Sequence, residues 1–163
     1  MDKKTQTAME MIKYYSGDTK RIEHFMKVHG YARLIGESVG LDSYTMELLE
    51  VTAYLHDIGI KVSEEKYNSS SGYYQQIEGP AIAEKMLLKI GYDKNFIDRV
   101  CYLISRHHKY SNIDGIECQI LIESDFLVNA VEDNISMDTM KDIKDKIFKT
   151  EAGKKILSGL RGV

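Results

Sequence analysis

Tryptophan is absent and proline occurs once, at position 80, so there is no proline-rich linker and helices can run without interruption. Cysteine occurs only at Cys101 and Cys118, each inside an apolar helical pattern and without the paired spacing of a metal ribbon or redox motif. Both read as reduced core thiols, and a disulfide is not expected. No apolar run approaches the roughly 18 residues of a membrane span, and no signal-peptide core follows the polar start Met1-Asp2-Lys3-Lys4. The expectation is a cytoplasmic protein without membrane association. Charge of one sign is missing too: 22 Lys and Arg stand against 25 Asp and Glu, for a net −3. That balance gives no electrostatic footprint for a nucleic-acid duplex, and any phosphate chemistry must rely on local cations. Strand-like alternation, internal repeats and low-complexity tracts are absent as well.

What is present is helical periodicity. The 163 residues are 43% hydrophobic and 29% charged, with the charges dispersed, which fits one domain over residues 1–163 with a single sizeable core. Ala8, Met11, Ile12 and Tyr15 mark a first helix that Gly17 stops. Asp18 can cap a second helix over residues 19–39, with His24, Val28, Tyr31, Ile35 and Val39 inward and Gly40 after its end. A third helix, capped by Asp42 or Ser43, carries Leu48, Val51, Thr52 and Leu55 and ends at His56-Asp57, with Gly59 as its C-cap. Residues 61–76, with Asn68-Ser69-Ser70-Ser71-Gly72, read as a long loop, after which Gly79-Pro80 opens a fourth helix closed by Gly91. A fifth helix from Asp93 or Asn95 runs into His107-His108, a sixth carries Cys118, Leu121, Ile122, Asp125 and Val128, and two more follow around Ile143 and Ile156. The fold class is all-α.

The histidines are distributed unevenly. Of five, only His29 falls outside the set His24, His56, His107 and His108, which lie on or end the inward faces of separate helices. Asp57 and Asp125 join them. Imidazole and carboxylate are the N and O ligands of transition metals, and burying such a set without a metal to hold it costs free energy. The residues therefore point to a metal site between core helices.

Arg21-Ile22-Glu23-His24, Leu55-His56-Asp57-Ile58-Gly59 and Ser124-Asp125 occur in an order that resembles the HD-domain superfamily of metal-dependent phosphohydrolases, over most of the chain. The resemblance implies a helical bundle in which His24, His56, Asp57 and Asp125 bind one divalent transition metal, iron or manganese, with His56 and Asp57 at the catalytic centre. Some members add histidines that complete a second site. Here Glu78-Gly79-Pro80 is similar to the segment carrying one of them, with Glu78 a departure from histidine, and Ile104-Ser105-Arg106-His107-His108 is similar to the other. A second ion held by Glu78, His107 and His108, with Asp57 bridging, is the corresponding expectation, so one or two ions are implied.

The Gly-Tyr-Pro that marks the family's cyclic dinucleotide phosphodiesterases does not follow His107-His108, and the chain most resembles small bacterial members. The implied reaction is hydrolysis of a phosphate ester or anhydride of a small, nucleotide-like substrate by a metal-activated water. Lys61, Arg106 and Lys109, close in sequence to the ligands, and Arg21, one turn before His24, are the candidate phosphate contacts. Asn129, one turn beyond Asp125, is a candidate partner for the ligands. Two other functions fit the same cluster: a metal-stabilised nucleotide-sensing module without turnover, and a di-iron oxygenase. A homodimer is compatible with the exposed tyrosines Tyr73 and Tyr74.

Overall fold

Leu48 to Leu55 are buried without a break, so the helix that contains them must be covered on all sides. It is the third of nine helices in the computed structural model, which describes residues 1–163. The helices are α1 (Lys3–Tyr14), α2 (Thr19–Val39), α3 (Ser43–Leu55), α4 (Ile60–Tyr67), α5 (Gly72–Ile90), α6 (Lys94–Arg106), α7 (Ile116–Glu132), α8 (Met137–Lys146) and α9 (Glu151–Arg161). There are no strands.

Two apolar clusters meet on α3. Leu48, Val51, Tyr54 and Leu55 pack with Met11 and Tyr15 of α1 and its C-terminal cap and with Leu87, Ile97, Val100 and Ile104 of α5 and α6. Leu49 and Ala53 face the other way, onto Val28, Ala32 and Ile35 of α2 and Leu121, Ile122 and Val128 of α7. A helix apolar on every side is one buried in a core, and α3 is the centre of this bundle. α2, by contrast, spends its outer face on solvent, and Val39 at its end is exposed rather than inward.

Side chains fix where the helices begin. Asp2, Asp18, Asp42 and Asp93 accept hydrogen bonds from Thr5, Arg21, Thr45 and Phe96 backbone N–H groups, satisfying donors that the first turn leaves free. Gly40 and Gly91 close α2 and α5 in the left-handed conformation.

The long loop expected over residues 61–76 is not a loop. Residues 60–67 form α4, only Asn68 to Ser71 are irregular, and α5 begins at Gly72, two turns before Pro80. Glu64, Glu65 and Lys66 are good helix formers, but Ser63 is the only fully buried residue of α4, so the apolar period that signals a helix is missing. Asn68 makes the break, at φ 51°. Pro80 sits inside α5 rather than opening it. Gly59 is likewise no left-handed cap: its φ is −77°, and it leads directly into α4. Its role is steric, since a Cβ there would meet the Gln75 carbonyl oxygen and the Gly79 nitrogen at 2.8 Å.

Candidate metal centre

Two helices end in the same way at the centre of the bundle. His56 caps the end of α3, and its Nδ1 lies 2.8 Å from the Ala53 carbonyl oxygen; His107 caps α6, with Nδ1 2.8 Å from the Ile104 carbonyl oxygen. A carbonyl oxygen can only accept, so Nδ1 carries the proton in both rings and Nε2 is left as a donor atom turned inward. His24, on α2, has the same arrangement with a carboxylate in place of the carbonyl: its Nδ1 is 2.8 Å from Glu132 Oε1 on α7. Asp57 follows His56 in the turn before α4, and Asp125 comes from the middle of α7. The Tyr15 hydroxyl holds that turn from the other side, donating to the Ile58 carbonyl at 3.2 Å and accepting from the Lys61 N–H at 3.3 Å.

The donor atoms converge. His24 Nε2 is 3.1 Å from His56 Nε2, 3.2 Å from Asp125 Oδ1 and 3.5 Å from Asp57 Oδ2. His56 Nε2 is 3.4 Å from each of the same two carboxylate oxygens. Donors around one ion at bond lengths near 2.1 Å stand roughly 3.0–3.4 Å apart, according to coordination geometry, so four atoms from three helices and one turn are spaced as a ligand set. The buried Asp125 Oδ1 accepts no hydrogen bond in the protein, which makes it the atom most in need of a cation.

The electrostatics agree with this. Burial opposes charge on the histidines, but the close Asp125 and Asp57 carboxylates push His24 up to about 11, and the Asp57 charge with the same two carboxylates pushes His56 up to about 9. Against burial, the surrounding imidazoles hold Asp57 and Asp125 below the usual carboxylate range. Paired carboxylates in so dry a place demand positive charge, as protons or as a metal ion.

Asp57 also faces a second group through its other oxygen. Oδ1 lies 3.0 Å from His107 Nε2 and 3.6 Å from His108 Nε2, while Oδ2 faces His24 and His56. The carboxylate thus spans both groups, and His107, His108 and Asp57 could together hold a further ion. Burial is the main reason that His107 is pushed below its ordinary value, which keeps its ring neutral and available as a ligand.

Several expected residues are not brought here. Glu78 belongs to neither group: Lys66 and the Tyr67 hydroxyl hold its carboxylate, at 3.1 and 2.7 Å, beside a groove shared with α1. Because α5 starts at Gly72, Glu78 is already in its second turn and is rotated off the face that meets the histidines. Lys61 points behind the Tyr15 wall, over the Tyr14 ring at 5.1 Å. Arg106 and Lys109 are not on the wall of the cleft above the site. Arg21 is, but Asp18 and Glu64 already hold its guanidinium.

That cleft is open, with a volume of about 480 Å³, and His24, Asp57 and His108 lie at its floor. Glu132, Lys20 and Gln75 are among the wall residues that the sequence did not single out. Glu132, at seven residues from Asp125, shares its face of α7, and that spacing was the available signal. Lys20 reaches the cleft with no acidic partner. Gln75 is buried with its amide oxygen 3.4 Å from His108 Nε2, on a segment whose helical state the sequence concealed. Asn129 lines the same wall, without a hydrogen bond to the ligands.

Comparison with known proteins gives the same direction. The family model for the HD domain matches residues 21–148, a span that contains every donor described above. The chain is similar in fold to the crystal structure of a predicted HD superfamily hydrolase from an uncultured Thermotogales bacterium, with a TM-score of 0.66 and 22% identity over 96% of this chain and 81% of that one. No curated protein sequence matches it.

Proposed function

The chain belongs to the HD domain family, a superfamily of metal-dependent hydrolases, and on that basis we propose that it hydrolyses a phosphate ester or anhydride of a small, nucleotide-like molecule. The observation that carries the reading is the convergence of His24, His56, Asp57 and Asp125, with donor separations of 3.1 to 3.5 Å, where His24 and Asp57 line an open cleft. These four residues would hold a divalent ion, iron or manganese by donor type, and His107 and His108 would share Asp57 with a second. A divalent ion there supplies Lewis acidity toward a phosphoryl oxygen and lowers the pKa of a water.

The protein's own groups do the rest. Glu132 fixes the His24 ring, and the two backbone carbonyls fix His56 and His107, so that each Nε2 is aimed before anything binds. Lys20 is the one cleft cation free of a carboxylate, and takes over the phosphate-contact role expected of Lys61, Arg106 and Lys109. The apolar lining is limited to Phe25 and Ile60, while Ser70 and Asn129 offer hydrogen bonds and Asp18, Glu132 and Asp133 add carboxylates. That lining favours recognition through hydroxyl groups over stacking of a base, and leaves the phosphate to the ions and Lys20.

Substitution separates the roles. His56→Ala and Asp57→Ala should each lose bound metal and phosphate release together, whereas Lys20→Ala should raise KM several-fold and leave metal content unchanged. Full turnover in His56→Ala would overturn the reading.

A further inference from the structure

We infer that the side-chain oxygen of Gln75 is a ligand of the second ion, completing a four-donor set with Asp57, His107 and His108. The proposal rests on the reading of the centre as metal-binding and assigns it a donor that lies outside the His and Asp pattern. In sequence this position belonged to Glu78, the acidic residue nearest the expected start of the helix. The fold puts Gln75 there instead, three residues earlier and one turn closer to the histidines.

Gln75 is held from three directions. Its backbone carbonyl presses on Gly59, two residues after Asp57, at a distance where no Cβ would fit. Its Nε2 donates to the Ser70 carbonyl oxygen at 2.6 Å, which fixes the amide so that Oε1, and not the NH₂ group, is turned toward His108. One turn earlier, Gly72 lies so close to the His108 ring that a Cβ would stand 2.7 Å from it. The first turn of α5 is therefore seated on His108, and Gln75 follows on the same face.

The distances are those of ligands to one ion. Gln75 Oε1 is 3.4 Å from His108 Nε2, which is 3.6 Å from Asp57 Oδ1, which is 3.0 Å from His107 Nε2. A 3.4 Å approach between an amide oxygen and a ring nitrogen is long for a hydrogen bond, but close to the roughly 3.4 Å edge of a tetrahedron of donors at bonds near 2.1 Å. Gln75 is buried, so its oxygen gains little from water. A neutral amide oxygen in place of a third imidazole or a second carboxylate makes this the weaker of the two positions and suits a hard ion such as Mn²⁺.

The test is calorimetric titration of the full chain with Mn²⁺, with electron paramagnetic resonance of the bound ion as a second readout. Wild type should take two equivalents, the second weaker. Gln75→Met keeps the length of the side chain and removes the donor; it should weaken the second equivalent at least tenfold and leave the first within twofold. Gln75→Glu should restore the second equivalent to wild-type affinity or better, a rescue that a merely packing role would not produce. A second equivalent unchanged in Gln75→Met, or lost equally in both variants, would overturn the assignment. So would a wild type with only one equivalent, while the intact first equivalent would leave the metal reading of His24, His56, Asp57 and Asp125 standing.

Discussion

The half-buried Glu132 and the buried Glu50 show what a carboxylate does to an imidazole in two different settings. Glu132 grips Nδ1 of His24 at 2.8 Å while Nε2 of the same ring faces the metal group, so it acts on the ion through the ring it orients. Glu132→Gln should lower the affinity of the first Mn²⁺ equivalent by about 10- to 100-fold without unfolding the protein. Calorimetry would check this, and affinity within twofold of wild type would show that His24 needs no such partner. Glu50 is remote from the centre: 2% exposed, it takes a hydrogen bond from Lys4 and faces His29 Nε2 at 3.0 Å, with the His29 ring stacked on Tyr54. His29, the one histidine left out of the metal set, thus has a structural use.

Burial acts to raise Glu50, but His29 and Lys4 outweigh it and hold the carboxyl below its ordinary 4.5. A carboxylate with a lowered folded-state pKa contributes stability that is complete above the unfolded value and disappears as pH falls through the folded one. Glu50→Gln should therefore cost about 2–3 kcal/mol at pH 7, and the gap from wild type should narrow steadily below pH 4.5. Denaturant melts at both pH values measure it. A gap independent of pH would mean that the carboxylate charge contributes nothing.

At the level of elements, the site depends on how α3, α4 and α5 meet. The turn bearing Asp57 is pinned by Tyr15 on one side and by α5 on the other, where Gly59 admits the backbone of Gln75 and Gly79. Gly59→Ala would force a Cβ to within 2.8 Å of two backbone atoms, and neither can move without shifting α5. A destabilisation of about 1–3 kcal/mol is expected, with a weaker second metal equivalent. Wild-type stability in this variant would show that the α3–α5 contact is loose.

The same elements mark the limit of what could be read from sequence. The helices with strong periods or aspartate caps, α2, α3, α6 and α7, were legible, and with them His24, His56, Asp57, His107, His108 and Asp125, since a polar residue on an apolar face stands out. α4 was not, because a short helix with one buried residue has no period to detect. That single gap carried the others. It displaced the start of α5, assigned Glu78 the place that Gln75 occupies, and left Lys61 next to the site in sequence although one step past Ile60 turns it behind Tyr15. Nothing in the local composition around Lys20 distinguishes it; it became visible only when Arg21 proved to be paired with Asp18 and Glu64.

Across the whole molecule, two apolar clusters joined through α3 place two charged groups back to back around one carboxylate, and a polar cleft opens over both. The packing explains how donors from separate helices are brought together, and the unpartnered Asp125 oxygen explains why they call for a cation. What the cleft adds is an opening to solvent above the donors, with one lysine free of a carboxylate at its wall. The most direct test of the account is inorganic phosphate released from a panel of nucleoside monophosphates, diphosphates and triphosphates and sugar phosphates by chelator-stripped protein titrated with Mn²⁺. The account predicts no release from stripped protein, and release from at least one panel member that rises with the bound equivalents and is absent in His56→Ala. Release that is the same with and without metal, or a protein that binds Mn²⁺ at the four-donor group and frees phosphate from no member of the panel, would contradict it.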